Sequence, residues 1–291
     1  MKIRRQLEAA QLEWATSRGI ALRDGVDGRP PSQVQRLEDN LQCPLSEASR
    51  NDFLRGAGGE LNPPGGDSGH LYSLTSSSAL CANAFEHWRA RPQRQLLRAL
   101  DLIDDVQYKW EFDPRLRISK HRVETPPVDL LLSPKGEHSP VIAFEAKFAE
   151  PYDGKPRRGL SPFYLTRKHL FGNWPQLTRI AKAMEGASDE QHLYMHAAQT
   201  IRQIIALRAN YGAAGFVLFH LWYDVGGTTG LAYRAELETF ASRVRTDRIA
   251  FAPLSWQELC AQIDGELSSE ADRSWLEYLR TRYGMPAAAA R

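Results

Sequence analysis

Asp129, Glu145 and Lys147 are the residues whose types and spacing point most directly to chemistry. An extended strand turns alternate side chains to opposite faces, so Val141, Ala143, Glu145 and Lys147 share one side of the run Val141-Ile-Ala-Phe-Glu-Ala-Lys-Phe148. Ile142, Phe144, Ala146 and Phe148 form the other side, which is wholly apolar. The first side turns charged only at its C-terminal end, with a carboxylate and an ammonium roughly 7 Å apart along the strand. The preceding apolar run, Val128-Asp-Leu-Leu-Leu132, brings in Asp129. A hairpin centred near Glu137 pairs position 129 with position 145, and Ser133-Pro-Lys-Gly-Glu-His-Ser-Pro140 has the composition of a turn at that centre. Opposed strand residues hold their Cβ atoms about 5 Å apart, near enough for two carboxylates to share a cation.

A hard ion suits such a pair. Mg²⁺, with Mn²⁺ as a substitute, takes oxygen ligands and keeps waters, and it completes its shell with phosphate oxygens. It acidifies a bound water and neutralises charge growing on phosphorus, while Lys147 orients the attacking water and adds positive charge. The expected chemistry is metal-assisted hydrolysis of a phosphodiester. A plainer arrangement uses the same residues as an ion pair on a solvated sheet face, and it predicts no metal binding.

Pro127-Val-Asp129 followed by Glu145-Ala-Lys147 resembles the PD-(D/E)XK signature of restriction-endonuclease-like nucleases, with Val128 standing between the proline and the aspartate. More loosely, four features resemble a bacterial family of restriction endonucleases over residues 56 to 210: Gly58-Gly-Glu60-Leu61, the segment from Ser76-Ser-Ser-Ala-Leu80 to Phe85, Glu145-Ala-Lys-Phe148 to Glu150-Pro151, and Gln199. The resemblance implies a Mg²⁺-dependent endodeoxyribonuclease acting on DNA. It makes Glu60 a further acidic group at the metal and Gln199 an orienting group for phosphate or water. A catalytically inactive nucleic-acid-binding protein that keeps the nuclease fold is the alternative, and a homodimer stays open.

The elements that must position these groups are legible as patterns. Residues 1 to 55 carry apolar positions at helical spacing, Leu7, Ala10, Leu12 and Trp14 among them, and read as an N-terminal helical extension. Residues 56 to 291 then form the nuclease-like domain. Asn62-Pro-Pro-Gly-Gly-Asp-Ser-Gly69 reads as a loop, and Thr75-Ser-Ser-Ser78 as the cap of a helix running through Trp88 with Phe85 on its buried side. Strands are expected at 106–112, 128–132 and 141–148 as a meander, and Gly215 to Tyr223 as a strand buried on both faces. Helices are expected at 192–210, 233–245, 255–264 and 271–283, with a short strand at 249–253 and a fraying tail from Ala287 to Ala290. The sum is an α/β fold, restriction-endonuclease-like, with a mixed central sheet flanked by helices.

Between Phe148 and Leu170 the sequence clusters Lys155, Arg157, Arg158, Arg167 and Lys168 among Tyr152, Phe163 and Tyr164. Cations supply affinity for phosphate and aromatic rings can stack on bases, so this loop is the expected nucleic-acid contact. A local patch is needed because net charge is only +2. His192, His196 and His220 lack metal-ligand spacing and receive no role. The three cysteines, Cys43, Cys81 and Cys260, lack zinc or disulfide spacing and are expected to be reduced. With no apolar span and no signal-peptide pattern after Met1-Lys-Ile-Arg-Arg5, the expected location is the cytoplasm. Glycine clusters without a following Gly-Lys-Ser/Thr, and the lack of a Gly-x-Ser-x-Gly elbow or His-Glu-x-x-His, give other catalytic classes no foothold.

Overall fold

The computed structural model describes residues 2–25, 31–56, 59–61, 69–102, 106–118, 128–136, 139–186, 188–189 and 191–286. The glycine-rich segment before Gly69, Gly58, Pro127, the hairpin centre at Glu137 and the Ala287–Ala290 tail lie outside the described residues.

A five-stranded mixed sheet forms the centre. Its strands are β1 (Tyr108–Phe112), β2 (Leu130–Pro134), β3 (Val141–Lys147), β6 (Phe216–Trp222) and β7 (Phe251–Ser255), in the spatial order β1-β2-β3-β6-β7. The first three form the antiparallel meander, whereas β3, β6 and β7 run parallel. A separate pair, β4 (Arg157–Arg158) and β5 (Ser188–Asp189), lies outside this sheet. The edges are blunted in familiar ways, by Lys109 and Glu111 on β1 and by Pro253 within β7.

Helices cover both faces: α1 (Lys2–Ser17), α2 (Glu47–Arg55), α3 (Ser77–Arg89), α4 (Arg94–Ala99), α5 (Pro162–Leu165), α6 (Pro175–Ala183), α7 (Ala197–Tyr211), α8 (Gly227–Arg245), α9 (Trp256–Asp264) and α10 (Glu270–Tyr283). One core packs Ile142, Phe144 and Ala146 of β3 and Phe148 just after it against α3, α9 and α10, with Phe85, Trp256 and Trp275 among its largest members. The other packs Val141 and Ala143 against α6, α7 and α8 through residues such as Leu177, Ile204 and Leu237. Both faces of β3 are therefore interior, which explains its seven consecutive buried residues.

The capping segment predicted before α3 forms as expected. Ser76 accepts the amide of Ala79 at 3.0 Å, and Phe85 and Trp88 are fully buried. In α1 the inward stripe is Gln11, Trp14 and Ala15, whereas Ala10 faces solvent. Gln11 donates its side-chain amide to the Arg282 carbonyl at 2.8 Å, and the Arg282 guanidinium donates to the Asn40 carbonyl and stacks over Trp14. The first and last helices are thereby joined.

Three differences from the sequence expectations have physical causes. Helix α7 starts at Ala197 rather than 192 because the amides before it are already committed. Asp189 accepts those of Gln191 and His192, and Glu236 of α8 accepts those of Leu193, Tyr194 and Met195. Helix α8 starts at Gly227 rather than 233; its Thr-Thr-Gly opening is helical, and Gly230 leaves room for the Asp224 side chain, whose Oδ1 would lie 2.1 Å from a Cβ there. Helix α6 was not expected. Its N-terminal amides at Gln176 and Leu177 are accepted by Asp247, about 70 residues further along the chain.

Candidate active site

The ladder between β2 and β3 has the anticipated register, with Leu130 opposite Phe144, Leu131 opposite Ala143 and Leu132 opposite Ile142. Continued one step, it sets Asp129 opposite Glu145. At that step, however, the chain bends. The Asp129 amide donates to the Phe144 carbonyl at 2.9 Å, one residue off the ladder, and its carboxylate Oδ2 accepts the Ala146 amide at 2.8 Å. Asp129 Oδ1 is left toward the start of α3, where the Ser78 hydroxyl donates to it at 3.3 Å.

Glu145 is 2% exposed and Lys147 8% exposed, so the charged end of the β3 face is not solvated. This overturns the expectation of a surface ion pair, because a buried ion pair survives only when its remaining hydrogen-bonding capacity is met. Here it is met from α7. Lys147 Nζ contacts Glu145 Oε1 and donates to Gln199 Oε1 at 3.2 Å. Gln199 Nε2 donates to the same Glu145 oxygen at 2.8 Å, and Gln203 Nε2 donates to Oε2. Gln199 thus touches both the carboxylate and the ammonium, while Gln203, which the sequence reading did not single out, lies one turn deeper.

The electrostatics follow from crowding acids at a buried strand end. Burial first, then Glu145 and Glu60, hold the Asp129 carboxyl well above the usual carboxylate range, against the pull of Lys147 and the Ala146 amide. Burial tends to lower the Lys147 ammonium pKa, but Glu145, Glu150 and Asp129 outweigh it and the net shift is upward, so the amine stays charged. Glu60 follows α2, and its carbonyl accepts the Leu71 amide across a close approach that needs Gly69, since a Cβ there would lie 1.9 Å from that oxygen. Burial, Asp113 and Glu150 push the Glu60 carboxyl up to about 7, with the Ser78 hydroxyl offsetting part of the rise. Ser78 accordingly sits between Glu60 and Asp129.

The Glu60 shift carries a pH dependence. Its folded value is above the ordinary 4.5, so between about pH 4.5 and 7 the folded chain holds a proton that the unfolded chain releases. Stability therefore falls as pH rises through that window. Thermal melts in chelator between about pH 5 and pH 8 should show a steeper decline for the wild type than for Glu60→Gln; parallel profiles would contradict the assignment.

Of the expected site residues, Asp129, Glu145, Lys147 and Gln199 come together. Glu60 stands beside Asp129 through Ser78. Among the described residues no three His, Cys, Asp or Glu side chains group as a metal cage, so Glu60 does not close a third position around the other two carboxylates. The basic loop is less uniform than its composition implied. Lys155, Arg158 and Arg167 are exposed, and Arg167 lies over the Phe163 ring at 3.8 Å. Arg157 is a correction: it is 4% exposed, and its guanidinium is used by the Pro151 and Leu193 carbonyls, Asp153 and His196, leaving no donor for phosphate. The side chain of Lys168 lies outside the described residues.

His196 was given no role, yet it joins the site's outer wall. Burial, Lys147 and Arg157 lower its pKa to about 4, so its neutral ring accepts from Arg157 Nη1 at 2.8 Å while a side-chain hydrogen bond links it to Gln199. The chain of contacts runs from Arg157 through His196 and Gln199 to Glu145. His196 is the N-cap of α7, three positions before Gln199, and no metal-ligand spacing marks it in the sequence.

A mixed sheet flanked by helices, with acidic groups and a lysine gathered at the C-terminal end of its central strand, defines a restriction-endonuclease-like α/β protein. A family model described as restriction endonuclease associating with ARP matches residues 27–284, and the chain belongs to that family. No curated protein and no solved structure matches it. No helix among the described residues is long and apolar enough to cross a membrane.

Proposed function

We propose that the chain is a Mg²⁺-dependent endodeoxyribonuclease of the PD-(D/E)XK type, with Asp129 and Glu145 as metal ligands and Lys147 as the catalytic cation. The observation that carries this reading is the burial of Glu145 and Lys147 in one hydrogen-bonded group beside a second, desolvated carboxylate. Apolar residues of similar size would pack there at lower cost, so retaining two charges needs a chemical reason.

The donor set fits a hard divalent ion. It is all oxygen, and Glu60, near enough to raise the Asp129 pKa, has a buried Oε2 with no hydrogen-bond partner among the described residues. When bound, the ion supplies Lewis acidity and charge neutralisation at the phosphate. The protein's own side chains do the rest. The Asp129 oxygens are held by the Ala146 amide and the Ser78 hydroxyl, which fixes the carboxylate at the strand end. Gln199 keeps Glu145 and Lys147 in register with each other. The Lys147 ammonium, buried and charged, holds the attacking water by one of its N–H groups and faces the negative charge that grows on the phosphate oxygens. Exposed Lys155, Arg158 and Arg167 are the proposed phosphate contacts along the DNA. The family description supports a restriction-type activity and an association with ARP.

Supercoiled plasmid incubated with the protein and Mg²⁺ or Mn²⁺ is expected to become nicked or linear. Chelator, or Lys147→Ala, should abolish this without abolishing retardation of DNA in a gel. A wild type that retards DNA but never cuts it, across both metals, would favour the inactive DNA-binding alternative.

A further inference from the structure

We propose that Gln203 is a positioning residue of the active site, anchoring one oxygen of Glu145 so that the other is the one offered to the cation. This rests on the metal-dependent nuclease reading and extends it to a residue that does not itself face substrate.

The argument starts from where the residue lies. Gln203 is 0% exposed, on a helix whose neighbouring inward positions are Ile201, Ile204, Ile205, Ala206 and Leu207. A carboxamide in such surroundings is costly unless its groups are engaged, and a leucine would fill the same volume without that cost. Its Nε2 donates to Glu145 Oε2. Four residues earlier, Gln199 is half-buried and reaches Glu145 Oε1 together with Lys147. The spacing of one helical turn puts both amides on the same face, one behind the other.

The two oxygens of Glu145 therefore have unequal freedom. Oε2 is held by a donor sealed in the core, whereas the partners of Oε1 stand toward the accessible side and can yield to a cation. The terminal torsion of a glutamate is broad and two-fold, so without the inner donor the carboxylate can turn either oxygen outward or neither. Groups that orient a metal ligand in this way typically change metal affinity 10- to 100-fold when lost.

The test is a calorimetric titration of the full chain with Mn²⁺, comparing wild type with Gln203→Met, which keeps the volume and removes the donor. Mn²⁺ affinity is expected to fall about 10- to 100-fold, with plasmid cleavage at saturating Mn²⁺ reduced less than affinity. A purely structural role would instead lower the melting temperature and leave the Mn²⁺ affinity of the folded protein unchanged, and that result would overturn the proposal. If Gln203→Met does not fold, Gln203→Asn, one methylene shorter, carries the same comparison: weaker Mn²⁺ binding supports the proposal and wild-type binding overturns it. A wild type that neither binds Mn²⁺ nor cuts DNA would remove the nuclease reading itself, and this role with it.

Discussion

Replacing Glu145 by Gln is expected to slow metal-dependent DNA cleavage by at least about 10³-fold, which corresponds to ~4 kcal/mol of added barrier. The change is nearly isosteric, so the side chain still fits between β3 and α7, but its effect on the site is threefold. A carboxamide is a poor ligand for a hard cation. It presents an NH₂ to one of the two glutamine amides that now donate to it, setting donor against donor. It also removes the carboxylate in contact with Lys147, leaving it the weaker pull of Glu150 and Asp129. Cleavage rates at saturating Mg²⁺, measured beside melting curves, separate the chemical loss from instability. A variant with the wild-type rate would show that Glu145 is not a ligand.

The largest loss of stability is expected from Phe85→Ala, about 3–5 kcal/mol. Phe85 is 0% exposed, and its ring lies 4.8 Å from that of Phe144, 6.0 Å from Trp256 and 6.3 Å from Trp110. Truncation leaves a cavity among three large rings that cannot all collapse into it. One of them, Phe144, belongs to the strand that carries the site, on the face opposite Glu145. Denaturant titration should report the loss, with Phe85→Leu costing much less because most of the volume remains. Equal stability of the alanine variant and the wild type would mean that this core is not packed as described.

Much of this arrangement was legible because it is local. Alternation along Val141–Lys147 separated a wholly apolar face from one that ends in charge, and turn composition near Glu137 set the correct strand register. Ser76 before an apolar helix announced its cap. What the sequence hid depends on contacts between distant segments. Helix α6 is capped by Asp247, and α7 is shortened by Glu236, neither of which lies near those helices in the chain. The off-register bend at Asp129 depends on its own carboxylate taking the Ala146 amide, a choice that pattern counting does not contain. Arg157 illustrates the opposite error. Composition placed it with its exposed neighbours, yet it points inward and braces the loop through backbone carbonyls. Gln203 did leave a signal, since a glutamine one turn after Gln199 on an otherwise apolar helix face is out of keeping with a plain core.

The joining of the first and last helices bears on how the molecule is made. Trp275, Leu276, Leu279 and Tyr283 of α10 pack into the same core as Phe144 of β3 and the Phe148 that follows it. During synthesis the backing of β3 stays incomplete until residues near 283 have emerged from the ribosome. A partly translated chain therefore lacks the packing that holds Glu145 and Lys147 in place, and the strand end that carries them is backed only once α10 has been made.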